Sequence, residues 1–548
     1  MDRRRVLFEE GTKTMFNTYA LEQRIAAQMG AVGAPGAAVA VINGAEVVYA
    51  RGFGVTSVKD GVPVTPHTLF CIGSTTKALT ATLIMRLIDA GTLALDEPVT
   101  TYLPWFTFHK EPAAAGAVTL RRLLTFTAGL PAGGSDFGPS GDKEMGRFVR
   151  EVIQGYELVA PPGAVLLYSN TSLSLVGHIA EAVTGRPYRD LMQDLVFEPL
   201  AMRRSTFDRA VAMTYPLALP HERGTDGALR VIHRLSDHAA GDPSGFALST
   251  VLDLANFAIM QMHGGEFAGR RVLSEEAVTE MQRPQVDLHN AHGNAFGLTF
   301  FLPMYKGKRQ VQRDGDIQSY HCMFTLYPEE RIAVVAVTND NAFDLETVLH
   351  PIFDELLHLP EDAPPPRVIA PNTALWPDYT GSYLNPTAGL ATIVADGERL
   401  TLDLNGDRTP LDAVKDDLYY SPQAGWSVGF VRVERGPTSY ITIGQVGSQP
   451  FQRVVLDPTF VPDPAAWRRF AGRYEEFAGD PYPITVRVED DVLIVDWMGE
   501  SVPCIALSST AFVGAKGLFE FETVEDERFP ALRVWRNFLN RRVERDDD

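Results

Sequence analysis

The last third of the chain is written twice, and that repetition restricts its fold more than any other feature. Trp376-Pro377-Asp378-Tyr379-Thr380-Gly381-Ser382-Tyr383 is matched by Trp467-Arg468-Arg469-Phe470-Ala471-Gly472-Arg473-Tyr474. Further on, Thr392-Ile393-Val394 to Leu400-Thr401-Leu402-Asp403 is matched by Thr485-Val486-Arg487 to Leu493-Ile494-Val495-Asp496. Apolar and polar residues alternate in both copies, broken by Asp396-Gly397 or Asp490-Asp491, so each copy predicts an antiparallel β module. A linker with Pro364-Pro365-Pro366 at its centre precedes the modules, and Val461-Pro462-Asp463-Pro464 separates them. The chain therefore divides into a domain over 1–360, a linker over 361–375 and β modules over 376–460 and 461–548.

The chemistry lies in the first domain. Phe70-Cys71-Ile72-Gly73-Ser74-Thr75-Thr76-Lys77 runs into an apolar stretch, Ala78 to Leu87, that predicts a helix. A hydroxyl and an amine three residues apart share one helix face, the arrangement acyl transfer needs. Lys77 can take the proton of Ser74 only when neutral, a state promoted by desolvation or by a neighbouring cation. The alternative is that Ser74 merely caps the helix. Ser140 and Lys143 repeat the spacing inside a Gly- and Pro-rich stretch, where Ser140 reads as a cap.

A second element, Tyr168-Ser169-Asn170, follows the turn Pro161-Pro162-Gly163 and precedes an apolar helix pattern from Leu173 to Val183. A phenol there can relay a proton between Ser74, Lys77 and a leaving group, and Asn170 can hold the lysine and a substrate carbonyl. The alternative is a plain turn with Asn170 as helix cap. Tyr383 and Asn385 repeat the spacing by accident. The order and spacing of the two motifs resemble the serine β-lactamase and penicillin-binding protein superfamily, in its class C-like branch. The resemblance extends to a hairpin (Ala37 to Ile42, turn Asn43-Gly44, Ala45 to Ala50), to Leu95-Asp96-Glu97-Pro98-Val99, to Thr119 through Pro131, and to a helix over Gly245 to Phe257. It implies an α+β fold, with an antiparallel sheet flanked by helices. The modules behind it resemble small lipocalin-like barrels. The whole layout is similar to bacterial D-aminopeptidases, which implies a barrel loop at the active site; barrels that only support or oligomerise the enzyme are the alternative.

The third motif of that family is Lys or His, any residue, then Gly. Here Arg313-Asp314-Gly315-Asp316 stands in its place, followed by Tyr320-His321-Cys322-Met323-Phe324 and an apolar strand from Ile332 to Thr338 with Asn339. Arg313 keeps the cation but cannot act as a base; it can hold Lys77 neutral by repulsion or grip a substrate carboxylate. The alternative is a strand-edge charge paired with Asp314 or Asp316. Gly315 lets substrate backbone approach the strand. The resemblance implies an oxyanion hole made of the N–H groups of Ser74 and Asp316, and the Asp314 and Asp316 side chains could bind a substrate amine. His263-Gly264-Gly265 fits the same text but reads as a helix-ending turn.

Composition narrows the partners. A net charge of −20 argues against nucleic acid or an acidic membrane surface. Cys71, Cys322 and Cys504 lie far apart in apolar stretches and read as buried thiols. The twelve histidines show no metal-ligand spacing, so neither metal nor cofactor is expected. The expected partner is a short peptide or a small amide or ester, and a homodimer is left open. Met1-Asp2-Arg3-Arg4-Arg5 leads no apolar segment of signal length, which reads as cytoplasmic, or periplasmic if the chain was trimmed. Three classes fit: a serine hydrolase cleaving amide bonds of short or unusual peptides, a carboxylesterase or acyl transferase of the same chemistry, and a non-catalytic β-lactam-binding or scaffold protein.

Overall fold

The computed structural model describes residues 16–133, 137–138, 141, 143–224, 227–433, 438–444, 449–475, 483–522, 531–534 and 538–543. Ser140 and the first ten residues lie outside them. The chain forms two compact units. One comprises Met1–Gly163, Leu167–Asp287 and Gly293–Pro365; the other comprises Ala164–Leu166, Leu288–His292 and Pro366–Asp548.

The first unit is α+β, built on an eight-stranded antiparallel sheet. Its strands are β1 (Gly36–Asn43), β2 (Glu46–Gly54), β3 (Val286–Asp287), β4 (Ala295–Phe296), β5 (Phe301–Leu302), β6 (Val311–Ile317), β7 (Tyr320–Tyr327) and β8 (Ile332–Thr338). They lie in the order β2-β1-β8-β7-β6-β5-β4-β3. Asn43 pairs with Glu46, so the first hairpin turns on Gly44-Ala45 rather than on Asn43-Gly44. Gly44 has φ +64°, and a glycine in the first turn position suits the type II′ geometry that matches strand twist.

Helices α1 (Thr18–Val32), α2 (Thr76–Asp89), α3 (Asn170–Thr184), α4 (Val251–Met262) and α5 (Glu346–Leu357) surround the sheet. One face of the sheet shares a core with α1 and α5, through Leu21, Ile25, Met323, Tyr327, Val348 and Phe353. On the other face Phe257 of α4 meets Phe324 of β7 at 5.2 Å. The predicted continuous helix from Gly245 is instead a short strand, Leu248–Ser249, paired with Phe70–Cys71, and α4 starts only after Thr250, whose hydroxyl accepts from Asp253 N–H.

Almost every residue of α2 from Thr76 to Leu87 is buried, so its polar side chains must find partners inside the fold. Thr82 bonds back to the carbonyl of Ala78, and Thr80 lies 2.7 Å from both the Pro243 carbonyl and the Tyr188 hydroxyl.

The second unit holds two closed eight-stranded barrels, one from Gly381–Asn385 to Gln449–Val454 and one from Gly472–Glu475 to Phe538–Val543. The sequence repeat has a structural counterpart. Tyr383 donates to the Tyr379 carbonyl at 2.7 Å, and Tyr474 donates to the Phe470 carbonyl at the same distance. Tyr379 stacks on Phe430 and Phe470 on Phe521, with centroids 3.9 and 4.1 Å apart. Both interiors are filled by such side chains. The barrels meet through Leu384, Leu390, Val513 and Leu518. Gly517 is needed there: a Cβ on it would fall 2.0 Å from the Pro386 carbonyl. Tyr383 belongs to the first barrel's core and Asn385 is buried and bonded to the Pro450 carbonyl, so their Tyr-x-Asn spacing is structural.

The Tyr383 hydroxyl also accepts from Arg453 at 2.5 Å. Tyr383→Phe leaves the buried Tyr379 carbonyl without its donor and removes one acceptor from the half-buried Arg453, so the variant should lose about 1–3 kcal/mol of stability in denaturant titration.

Candidate active site

Ser74 sits in a 3₁₀ turn, Gly73–Thr75, that leads directly into α2. Two glycines bring β6 against this turn. A Cβ on Gly315 would fall 2.1 Å from the Ile72 carbonyl and 2.5 Å from the Ser74 nitrogen, and one on Gly73 (φ +50°) would fall 2.7 Å from the Asp316 nitrogen. The backbone N–H groups of Ser74 and Asp316 thus flank one narrow junction. The helix cap position belongs to Thr75, and Ser74 is not used as a cap.

Lys77, fully buried in the first turn of α2, has three partners. Its Nζ lies 2.9 Å from Ser74 Oγ, 2.7 Å from Asn170 Oδ1 and 2.6 Å from the Ser244 carbonyl. None is charged. Burial, and then the nearby Arg313 cation, push its pKa well below the ordinary lysine value, with Asp314 opposing. The Asn170 and Ser244 oxygens can only accept. A neutral amine has two protons and one lone pair; giving the protons to those oxygens turns the lone pair toward the Ser74 hydroxyl.

Asn170 is free for this because Ser169 caps α3 instead, its Oγ accepting from Ser172 N–H at 3.1 Å. Asn170 Nδ2 donates to the Gly133 carbonyl at 3.4 Å, which fixes the amide with its oxygen on Lys77.

The Tyr168 ring packs on Phe126 at 4.8 Å, and Lys77 Nζ lies 4.9 Å from its centroid. Its hydroxyl accepts from Arg313 Nη2. Burial raises the Tyr168 pKa, and Arg313 and Ser74 work against that rise.

Arg313 is 1 % exposed. Its Nε donates to the Ser74 carbonyl and its Nη1 to the Thr299 carbonyl, both at 3.0 Å, while the guanidinium lies 5.4 Å from the Phe301 ring centroid. The alternative reading of Arg313, a strand-edge charge paired with Asp314 or Asp316, is therefore not what the structure holds. Strand alternation puts Arg313 and Gly315 on the face toward Ser74 and Asp314 and Asp316 on the opposite face. Asp314 acts by its charge on both Lys77 and Tyr168, and the Asp316 nitrogen lies at the Ser74 junction. The Asp316 side chain lies across from His321, which counteracts the rise that burial gives its pKa.

Sequence reasoning missed the Ser244 carbonyl, which every residue type carries and no motif marks. The Asp242-Pro243 pair, with proline in the first turn of Asp242–Gly245, was its one local signal. Asn339 is structural: its side chain bonds Gly36 N–H and the carbonyls of Thr56 and Leu219. Cys71 and Cys322 are buried thiols whose pKa values are raised by that burial, Cys322 to about 12. His263-Gly264-Gly265 ends α4, with both glycines at positive φ.

A family model described as Beta-lactamase matches residues 21–359. The chain belongs to the beta-lactamase family. It is 30 % identical over 344 residues to penicillin-binding protein 4 of Amycolatopsis lactamdurans, covering 62 % of this chain and 88 % of that one. It is 28 % identical over 367 residues to putative beta-lactamase-like 1 of Homo sapiens, covering 63 % and 71 %. The octameric penicillin-binding protein homologue from Pyrococcus abyssi has a similar structure, with 25 % identity, TM-score 0.56, and coverage of 80 % of this chain and 100 % of that one. SurE shares the fold at 23 % identity and TM-score 0.61, over 80 % of this chain and 99 % of that one. The family is largely one of serine hydrolases, which supports an enzyme of that kind here.

Proposed function

We propose that this protein is a serine hydrolase that cleaves amide bonds of short or unusual peptides through an acyl-Ser74 intermediate. The observation that carries the reading is the buried Lys77 amine, 2.9 Å from Ser74 Oγ and fixed on its other sides by two obligate acceptors. Ser74 attacks the carbonyl while Lys77 takes its proton. The N–H groups of Ser74 and Asp316 hold the developing oxyanion, where one such donor is typically worth about 3 kcal/mol. Tyr168, bonded to Arg313 and with its ring beside the Lys77 amine, passes a proton to the leaving group, and water releases the acyl group by the reverse route. Arg313 acts from beneath, disfavouring the charged lysine and steadying the tyrosine oxygen. The preference for amides is supported by the 30 % identical relative named for binding penicillin, whose reactive bond is an amide.

Turnover of matched L- and D-aminoacyl p-nitroanilides beside a p-nitrophenyl ester tests this reading. Anilide cleavage that disappears in Ser74→Ala is the expected result; Ser74-dependent cleavage of the ester alone would make the protein an esterase or acyl transferase.

The acid limb of kcat/KM should report Lys77, since activity appears as the amine loses its proton on raising the pH. Arg313→Met removes the cation that lowers the lysine pKa, so the limb should move to higher pH, whereas Arg313→Lys should leave it near its original position. A limb unmoved in Arg313→Met would show that the cation does not tune the base.

A further inference from the structure

The segment that presents the Ser244 carbonyl to Lys77 is held from several sides. Arg189, in the short helix Tyr188–Met192, donates from Nε to Asp242 Oδ2 at 2.6 Å and from Nη2 to Asp237 Oδ1 at 2.7 Å. These carboxylates stand on either side of the 3₁₀ turn Ala239–Gly241, so one guanidinium spans the turn. Within it the Ala240 carbonyl accepts from Ser174 at 2.6 Å, and the Gly241 carbonyl from the Ser244 hydroxyl at 2.8 Å. The Pro243 carbonyl faces Thr80 of α2, one turn beyond Lys77. Arg209 grips the flanks of the same segment through the carbonyls of Ser236 and Phe246. Gln318, in the turn after β6, bonds Ser236 N–H and the Arg234 carbonyl.

Asp242 is the unusual member. Its side chain is 1 % exposed and its Oδ1 has no hydrogen-bond partner among the described residues. Burial pushes its carboxyl up to about 7, against the pull of Arg189 and then Arg209, while Asp237, Tyr188 and Cys71 also face it. A buried carboxylate is costly to keep. Its link to the lysine runs through the backbone: Asp242 opens the short turn Asp242–Gly245, which carries the Ser244 carbonyl.

We propose that Arg189 and Asp242 are a positioning pair that fixes the Ser244 carbonyl on Lys77 and so aims the lysine lone pair at Ser74. The proposal rests on the acyl-serine reading above. If the pair loosens, the Ser244 oxygen withdraws, the amine rotates and water reaches it.

The test uses the full-length protein with 13C-labelled lysine, the Lys77 resonance being assigned by its loss in Lys77→Ala. In Arg189→Met the Lys77 titration should rise by about one pH unit as the amine is resolvated. The kcat should fall about 10- to 100-fold with KM little changed, as misaimed catalytic groups do. Arg189→Lys should recover part of both. Should Arg189→Met fail to fold, Asp237→Asn, which cuts only the more exposed arm of the clamp, carries the same two readouts. An unshifted Lys77 titration and an unchanged kcat in folded variants would overturn the proposal. A wild-type protein without Ser74-dependent turnover would instead overturn the functional reading, and the Lys77 titration alone would then decide the positioning claim.

Discussion

Everything at the candidate site depends on an amine kept out of water with no anion among its bonded partners. Lys77 is fully buried, its bonded partners are a hydroxyl, an amide oxygen and a main-chain carbonyl, and the nearest strong field is that of another cation. Burying an unpaired ammonium is expensive, and losing the proton is the cheap way out. The neutral form then has one lone pair, and the two fixed acceptors leave it a single direction. Much of the first unit can be understood as support for that direction: the threonine-rich buried helix, the Ser169 cap that frees Asn170, and the short turn that carries Ser244.

Arg313 shows how a departure from the family pattern can keep the electrostatics and change the chemistry. A guanidinium supplies a permanent charge beside Lys77 and Tyr168 but can exchange no proton at neutral pH. Its planar fork engages two carbonyls and the phenol at once, so it joins the nucleophile's backbone, the Thr299 loop and the Tyr168 ring. This use of the side chain, inside the protein and beneath the site, differs from a clamp reaching for a substrate carboxylate.

The features legible in the sequence were those set by short covalent spacing or by a repeating period. Ser74 and Lys77 share a helix face because they are three residues apart, and the barrels announced themselves because alternation in a duplicated segment has few other solutions. The first hairpin was legible to within one residue, its turn falling on Gly44-Ala45 because the glycine takes the first turn position. What could not be read depends on partners distant in sequence. The Ser244 carbonyl lies 167 residues from Lys77 and carries no side-chain signature. Which face of β6 carries Asp314 and Asp316 depends on the register of the strand against its neighbours, which a linear motif does not display. Arg313 is legible as a cation, but two of its three partners are main-chain oxygens, invisible in any pattern of residue types.

The central claim is that Lys77 takes the Ser74 proton as the serine is acylated. Rapid-quench mass measurement of Ser74 acylation by a p-nitrophenyl ester, in the wild type and in Lys77→Arg, tests it most directly. Arginine keeps the charge and cannot accept the proton, so the account predicts an adduct mapped to Ser74 that forms quickly in the wild type and at least about 100-fold more slowly in the variant. Acylation of Lys77→Arg at close to the wild-type rate, or hydrolysis with no adduct on Ser74, would contradict it.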